Sequence, residues 1–224
     1  MFNEIRNNID FFIRSHIRFS RKNFVEKNTL MIERNEKENL YTYQILENFF
    51  NKNSKKHLSI LDIGCKNWFY AKGEHQYFNS FCDDFELDGI ELDAYRLYSN
   101  FYNRYEVAKY HIKKLKNTTY IAGNLLELNK TYDYIIWFLP FVVDTPHIAW
   151  GLPKRLFYPE KLLMHAYKLL NKDGQMLIIN QGLVEAEEQK KFLENLNIPY
   201  RELGEIKNEH FKYQNQRYGY LIKK

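Results

Sequence analysis

Leu58-Ser-Ile-Leu-Asp-Ile-Gly-Cys-Lys-Asn-Trp68 is a short apolar run that ends in an acidic residue and then a glycine. Leu58, Ile60, Leu61 and Ile63 lie between His57 and Gly64, the pattern of a strand buried on both faces inside a parallel sheet. Ligands of open α/β sheets bind beyond the carboxyl ends of the strands, where a glycine lets them approach the backbone. Gly64 is placed for that use. Lys66, Asn67 and Trp68 either close over a ligand or begin the next helix.

Downstream, strands and helices alternate. A first crossover helix is expected over Trp68 to Phe81, although Gly73 is a poor helix residue. A short strand follows at about Leu87 to Glu91. From Ala94 to Leu115 the apolar residues Leu97, Phe101, Tyr105, Ala108 and Ile112 recur at helical spacing and predict the second crossover helix. Thr118 to Ala122 and Tyr132 to Phe138 read as the third and fourth strands. Four of the five prolines then fall between Leu139 and Pro159, which predicts a long irregular loop on the ligand side. A helix over Glu160 to Leu170, a turn at Asn171 to Gly174, a strand over Gln175 to Ile179 and a helix over Glu185 to Leu196 come next. Tyr200 to Ile206 and Arg217 to Ile222 look like a closing antiparallel pair. Alternation of this kind implies a doubly wound, mostly parallel sheet.

Upstream of Leu58 nothing reads as a core strand. Ile5, Ile9, Phe12, Ile17 and Phe19 recur at near-helical spacing, with Arg14, Arg18, Arg21 and Lys22 crowding the second half. This predicts a basic amphipathic helix whose apolar stripe covers the main domain. A second helix is expected over Glu36 to Phe50, with Asn35 as its N-cap and a polar linker at residues 51–56. The chain thus divides into a helical extension at residues 1–53, a candidate lid, and a main domain at residues 54–224. As a lid, the extension would set Phe12, Ile17 and Phe19 near Phe141 and Trp150, with Arg14 and Arg18 toward the substrate entrance.

Composition limits the function classes. A net charge of +5 over 224 residues permits an anionic partner but gives no clear nucleic-acid signal. Cys65 and Cys82 are the only cysteines, so neither a zinc site nor a disulfide framework is indicated, and a cytoplasmic location is expected. No apolar run approaches the roughly 20 residues that span a bilayer.

Asp62-Ile-Gly-Cys-Lys66 resembles the first motif of the class I S-adenosylmethionine (SAM)-dependent methyltransferases, a strand followed by acidic-x-Gly-x-Gly, with Lys66 in place of the second glycine. Gly89-Ile-Glu-Leu-Asp93 is similar to their second motif. An acid at that strand end accepts hydrogen bonds from a ribose diol; Glu91 is the candidate and Asp93 the alternative. Gly123-Asn-Leu125 stands where the family reads adenine, with Asn124 retaining an acceptor oxygen; the competing reading is a turn asparagine. Leu169 to Ile178 is similar to the family's segment before the fifth strand, where Gly174 is expected as a left-handed helix end. The resemblance covers about half the chain. It implies a seven-stranded Rossmann-like sheet with an antiparallel last strand, SAM as cofactor, and Asp62, Gly64, Cys65, Glu91, Leu92, Asn124 and Leu125 as its binding residues.

Plain dinucleotide binding requires G-x-G-x-x-G after the first strand, and residues 64–69 contain one glycine. SAM has no phosphate and tolerates a bulkier loop. The resemblance therefore implies methyl transfer to an unidentified acceptor, possible alternatives being a scaffold without catalysis or a transferase using another nucleoside. No metal ligands are indicated and no catalytic residue is assigned. Asp144 and His147 are candidate bases, and Trp137, Phe138, Phe141 and Trp150 are candidates for a substrate wall.

Overall fold

The computed structural model describes residues 2–17 and 29–224. Phe19, Arg18, Arg21 and Lys22 of the expected basic helix lie outside the described residues. Seven strands, β1 (Leu58–Ile63), β2 (Phe85–Glu91), β3 (Thr118–Ala122), β4 (Tyr132–Phe138), β5 (Leu170–Gln181), β6 (Tyr200–Glu205) and β7 (Arg217–Lys223), form one sheet in the order β3-β2-β1-β4-β5-β7-β6. β7 alone runs opposite to the other six strands. The chain winds outward from β1 to β3 and then returns to β4, so the order reverses between β1 and β4. That reversal is where an α/β sheet opens a ligand crevice.

Both faces of the sheet are covered, and successive side chains of each inner strand enter opposite cores. Leu58, Ile60, Tyr134, Ile136, Leu177 and Leu221 pack with α2 (Thr29–Phe49), α3 (Ala71–Asn79) and α4 (Arg104–Ile112). Leu61, Ile63, Ile135, Met176, Ile178 and Ile222 pack with α6 (Pro159–Leu169) and α7 (Gly182–Asn195). Ile45 and Leu46 of α2 are fully buried in the first core. Of the described residues of the expected 1–53 extension, those of α2 are therefore part of the first core, while α1 (Phe2–His16) belongs to neither core.

Four local expectations differ from the structure. Helix α4 begins only at Arg104, because Asn103 and Glu106 form a reciprocal capping box: the Asn103 side chain accepts the Glu106 N–H and the Glu106 carboxylate accepts the Asn103 N–H, both at 2.8 Å. Such a pair satisfies two otherwise orphaned donors and starts a helix, while Leu97 and Phe101 upstream are exposed in a loop. Asn35 lies inside α2 rather than capping it. The left-handed residue is Asp173, near the start of β5; Gly174 is needed instead because a Cβ there would sit 2.8 Å from the Asn171 carbonyl oxygen. The proline-rich loop contains a short helix, α5 (Asp144–Ala149), and a 3₁₀ turn (Lys154–Leu156).

The largest departure is α1. Its apolar stripe faces solvent, with Phe2, Ile5, Ile9, Phe12 and Ile17 all exposed. The face turned inward carries Asn7, Phe11 and Arg14, at spacings of four and three. Asn7 Nδ2 donates to the Ile148 and Leu152 carbonyls at 3.1 and 3.3 Å. The Glu4 carboxylate accepts the Lys154 N–H at 3.0 Å, and Arg14 reaches both Asp93 and the Gly151 carbonyl. Directional bonds to the 148–154 segment, rather than apolar area, decide which side of the helix is buried.

Candidate functional site

A cavity of about 490 Å³ runs along the carboxyl-end edge of the sheet. Asn124 and Leu125 line it after β3, Glu91, Leu92 and Asp93 at and beyond the end of β2, Gly64 and Lys66 after β1, and Phe138 at the end of β4. Gln181 and Arg217 line it where β5 ends and β7 begins. The roof comes from α2, through Arg34, Glu38, Tyr41 and Thr42, and from the proline-rich segment, through Phe141, His147 and Trp150.

The turn after β1 is unusually tight. Gly64, Lys66 and Trp68 have φ of +72°, +59° and +46°, and the chain doubles back so that Trp68 is fully buried. Gly89 makes this arrangement possible, since a Cβ on it would lie 2.8 Å from the indole and 2.9 Å from the Cys65 sulfur. At Gly64 the direction a side chain would take is open, with no atom within 4 Å. The backbone there is a bare wall facing the cavity.

Asp62 and Cys65, expected to touch a ligand, are fully buried and do not line the cavity. Asp62 Oδ2 accepts a hydrogen bond from the Tyr70 hydroxyl at 2.9 Å, and Glu74 Oε2 accepts the Trp68 indole N–H at 2.8 Å. Asp62 Oδ1 and Glu74 Oε1 are buried without a donor. Burial pushes both carboxyls well above the usual carboxylate range, and in Glu74 the neighbouring Asp62 charge adds to it. A proton shared between them supplies the missing donor. The acid of the β1 motif is thus a structural member that anchors the turn from below.

This pair makes stability depend on pH. Unfolded carboxyls release their protons near pH 4 and the folded pair only well above that, so between these values the folded state holds more protons. Its contribution is fully present below about pH 4 and is lost as pH rises through the folded pKa. Asp62→Asn keeps the bond to Tyr70 and offers Glu74 a donor that does not titrate. Thermal melts at pH 5 and pH 8 should show a smaller loss in this variant than in the parent; equal losses would mean that the pair is not the source.

Glu91 is nearly saturated. Its Oε1 accepts the Asp93 N–H at 2.8 Å and Arg104 Nη1 at 3.0 Å, and its Oε2 accepts the Lys66 N–H at 3.0 Å. One acceptor position on Oε2 is left for a ligand. Asp93, the alternative, is occupied by Arg14 and Arg96, so α1 is pinned to the end of β2. Arg14 thus points at the end of β2, and Phe12 and Ile17 are exposed. Asn124 Oδ1 accepts the Leu126 N–H at 3.1 Å, the geometry of a turn asparagine, with its second lone pair remaining. Trp150 closes this half of the cavity, with Lys66 Nζ 4.5 Å from its ring centre and the Arg104 guanidinium 5.6 Å away.

His147 is buried and lines the cavity. A carbonyl can only accept, so the 2.9 Å contact of Nε2 with the Pro153 oxygen places the ring proton on Nε2 and leaves Nδ1 a lone pair. Burial lowers the His147 pKa and keeps the ring neutral. Asp144 is half-buried at the start of α5, beside Lys154. The α2 and β7 residues of the cavity, Arg34, Glu38, Tyr41 and Arg217, carry no local sequence signal. They come from segments more than 160 residues apart.

No family model matches the sequence, and no curated protein matches it. Solved structures do match in fold. A SAM-dependent methyltransferase from Aquifex aeolicus superimposes with a TM-score of 0.57 at 14% identity, covering 81% of this chain and 88% of that one. Precorrin-6y C5,15-methyltransferase from Geobacter metallireducens does so at 0.52 and 13%, covering 91% and 92%. The CurJ carbon methyltransferase gives 0.58 at 12%, covering 83% of this chain and 53% of that one. The chain has the class I methyltransferase fold.

Proposed function

We propose that the chain binds S-adenosylmethionine in the β1–β3 half of the cavity and transfers its methyl group to an acceptor held in the β4–β7 half. The observation that carries this reading is the continuous cavity across those strand ends, with Gly64 open toward it and Glu91 at the end of β2. The matching fold of known methyltransferases supports it.

The residues present fit such a cofactor. Glu91 Oε2 retains an acceptor position for a ribose hydroxyl, Asn124 and Leu125 border the place of the base, and the bare Gly64 backbone leaves room for the amino-acid part. Bound there, SAM supplies an electrophilic methyl group. The chain's own contribution is alignment and exclusion of water. Phe138, Phe141 and Trp150 wall the cavity with apolar rings, and neutral His147 holds a lone pair for an acceptor proton.

Gly64→Val tests the placement. A Val side chain would enter the cavity and also disfavours a φ of +72°, so calorimetry should find S-adenosylhomocysteine bound by the parent and no measurable binding by a folded variant. Equal affinity would move the cofactor away from this turn. The second reading, a methyltransferase-like scaffold without cofactor, draws on the three donors already satisfied by Glu91 and on Lys66 in place of a glycine. It predicts no binding of SAM or S-adenosylhomocysteine by the parent itself.

A further inference from the structure

The acceptor half of the cavity has an unmatched cation at its far end. Arg217 opens β7, opposite Gln181 at the close of β5, and is 8% exposed. Its guanidinium is held firmly but not neutralised. Nη1 donates to the Asn215 and Gln216 carbonyls at 3.1 and 3.4 Å, and the Tyr213 ring lies 4.3 Å from its centre. Among the described residues it has no carboxylate within 4 Å, and neither Nε nor Nη2 makes a hydrogen bond. A buried guanidinium without a counter-ion is costly, and its planar edge matches a carboxylate.

The acids around it are committed elsewhere. Glu38 on α2 bonds Arg34 at 2.9 Å, and Glu185 on α7 accepts the Gln181 N–H at 3.1 Å. Burial raises the pKa of both carboxyls. Glu91 and Asp93 are tied to Arg104, Arg14 and Arg96. Of the cavity's cations, Lys66 and Arg217 are left without an ion pair among the described residues, and Lys66 is at the cofactor half beneath Trp150.

We propose that Arg217 anchors a carboxylate of the methyl acceptor, and that the acceptor is therefore a small organic acid whose apolar body lies along Phe138, Phe141 and Ile179. This rests on the methyl-transfer reading for the word acceptor, but the anion site itself does not depend on it. A carboxylate fixed by both edge N–H groups sets the orientation of the body relative to the cofactor half, which is how the site selects one atom for transfer.

The test is calorimetry of the full chain, with and without S-adenosylhomocysteine, using benzoate, benzamide and benzylamine as probes. Benzoate should bind at least tenfold more tightly than benzamide. Arg217→Met should weaken benzoate at least tenfold and leave S-adenosylhomocysteine within twofold; Arg217→Lys, a point charge without the fork, should fall between. If Arg217→Met does not fold, the lysine variant alone must still show the loss. Benzoate bound equally by parent and variant, no benzoate binding at all, or preferential binding of benzylamine that Glu38→Gln removes would each overturn the proposal. Arg217-dependent benzoate binding in a parent that ignores S-adenosylhomocysteine would uphold the anion site and defeat the methyl-transfer reading.

Discussion

Glu91→Ala is expected to cost about 3–5 kcal/mol of stability, the usual penalty for removing one partner of a buried ion pair. The carboxylate does three things at once: it accepts the Lys66 and Asp93 amides and neutralises Arg104. Without it Arg104, whose side chain is 6% exposed, keeps only the 3.9 Å approach to Asp93, and its Nε is already a buried atom without a partner. Both turns that frame the proposed cofactor half lose an anchor together. Chemical denaturation should therefore show a large drop for Glu91→Ala and a much smaller one for Glu91→Leu with Arg104→Met, since replacing both members of a buried pair by apolar groups is often neutral. A single variant within 1 kcal/mol of the parent would mean that the three bonds are not formed in solution. Glu91→Gln keeps the shape and one acceptor oxygen, so it separates stability from binding: its S-adenosylhomocysteine affinity is expected to fall by about tenfold, one charge-assisted bond.

Gly73→Ala gives the second large effect, and its sign is diagnostic. By helix propensity alone the change would stabilise α3 by about 1 kcal/mol. In the structure α3 crosses α2 at this residue. A Cβ on Gly73 would lie 3.0 Å from the Asn39 Cα and carbonyl carbon and closer still to the oxygen, and none of these is a flexible side chain. Asn39 also clamps the crossing, accepting the Gly73 N–H at 2.6 Å and donating to the Phe69 carbonyl at 3.1 Å. Separating two backbones there costs about 3 kcal/mol, or a melting temperature lower by roughly 6–12 °C for a chain of this size. A variant that melts at or above the parent temperature would refute the close crossing.

The alternating strands and helices and the positions of Gly64, Glu91 and Asn124 near strand ends were legible in the sequence because each depends on a local pattern. Apolar runs bounded by glycine or acid mark buried strands, and alternation with helices leaves few ways to wind a parallel sheet. The Asn103 and Glu106 capping signal was equally local, but the apolar spacing from Leu97 to Ile112 masked it. What the tertiary structure alone decided are contacts between segments far apart in the chain. Gly73 and Gly89 look like weak points of a helix and a strand until the Asn39 backbone and the Trp68 ring arrive against them. Asp62 reads as a ligand residue until Tyr70 and Glu74 enclose it. The inward face of α1 is set by carbonyls of residues 148–152, and Arg217 becomes a candidate anchor only because β7 inserts between β5 and β6 and carries it to the ligand edge. Periodicity reports which residues avoid water along one element, whereas a close approach, a shared proton or an unpaired charge is a property of two surfaces that meet only when the chain has folded.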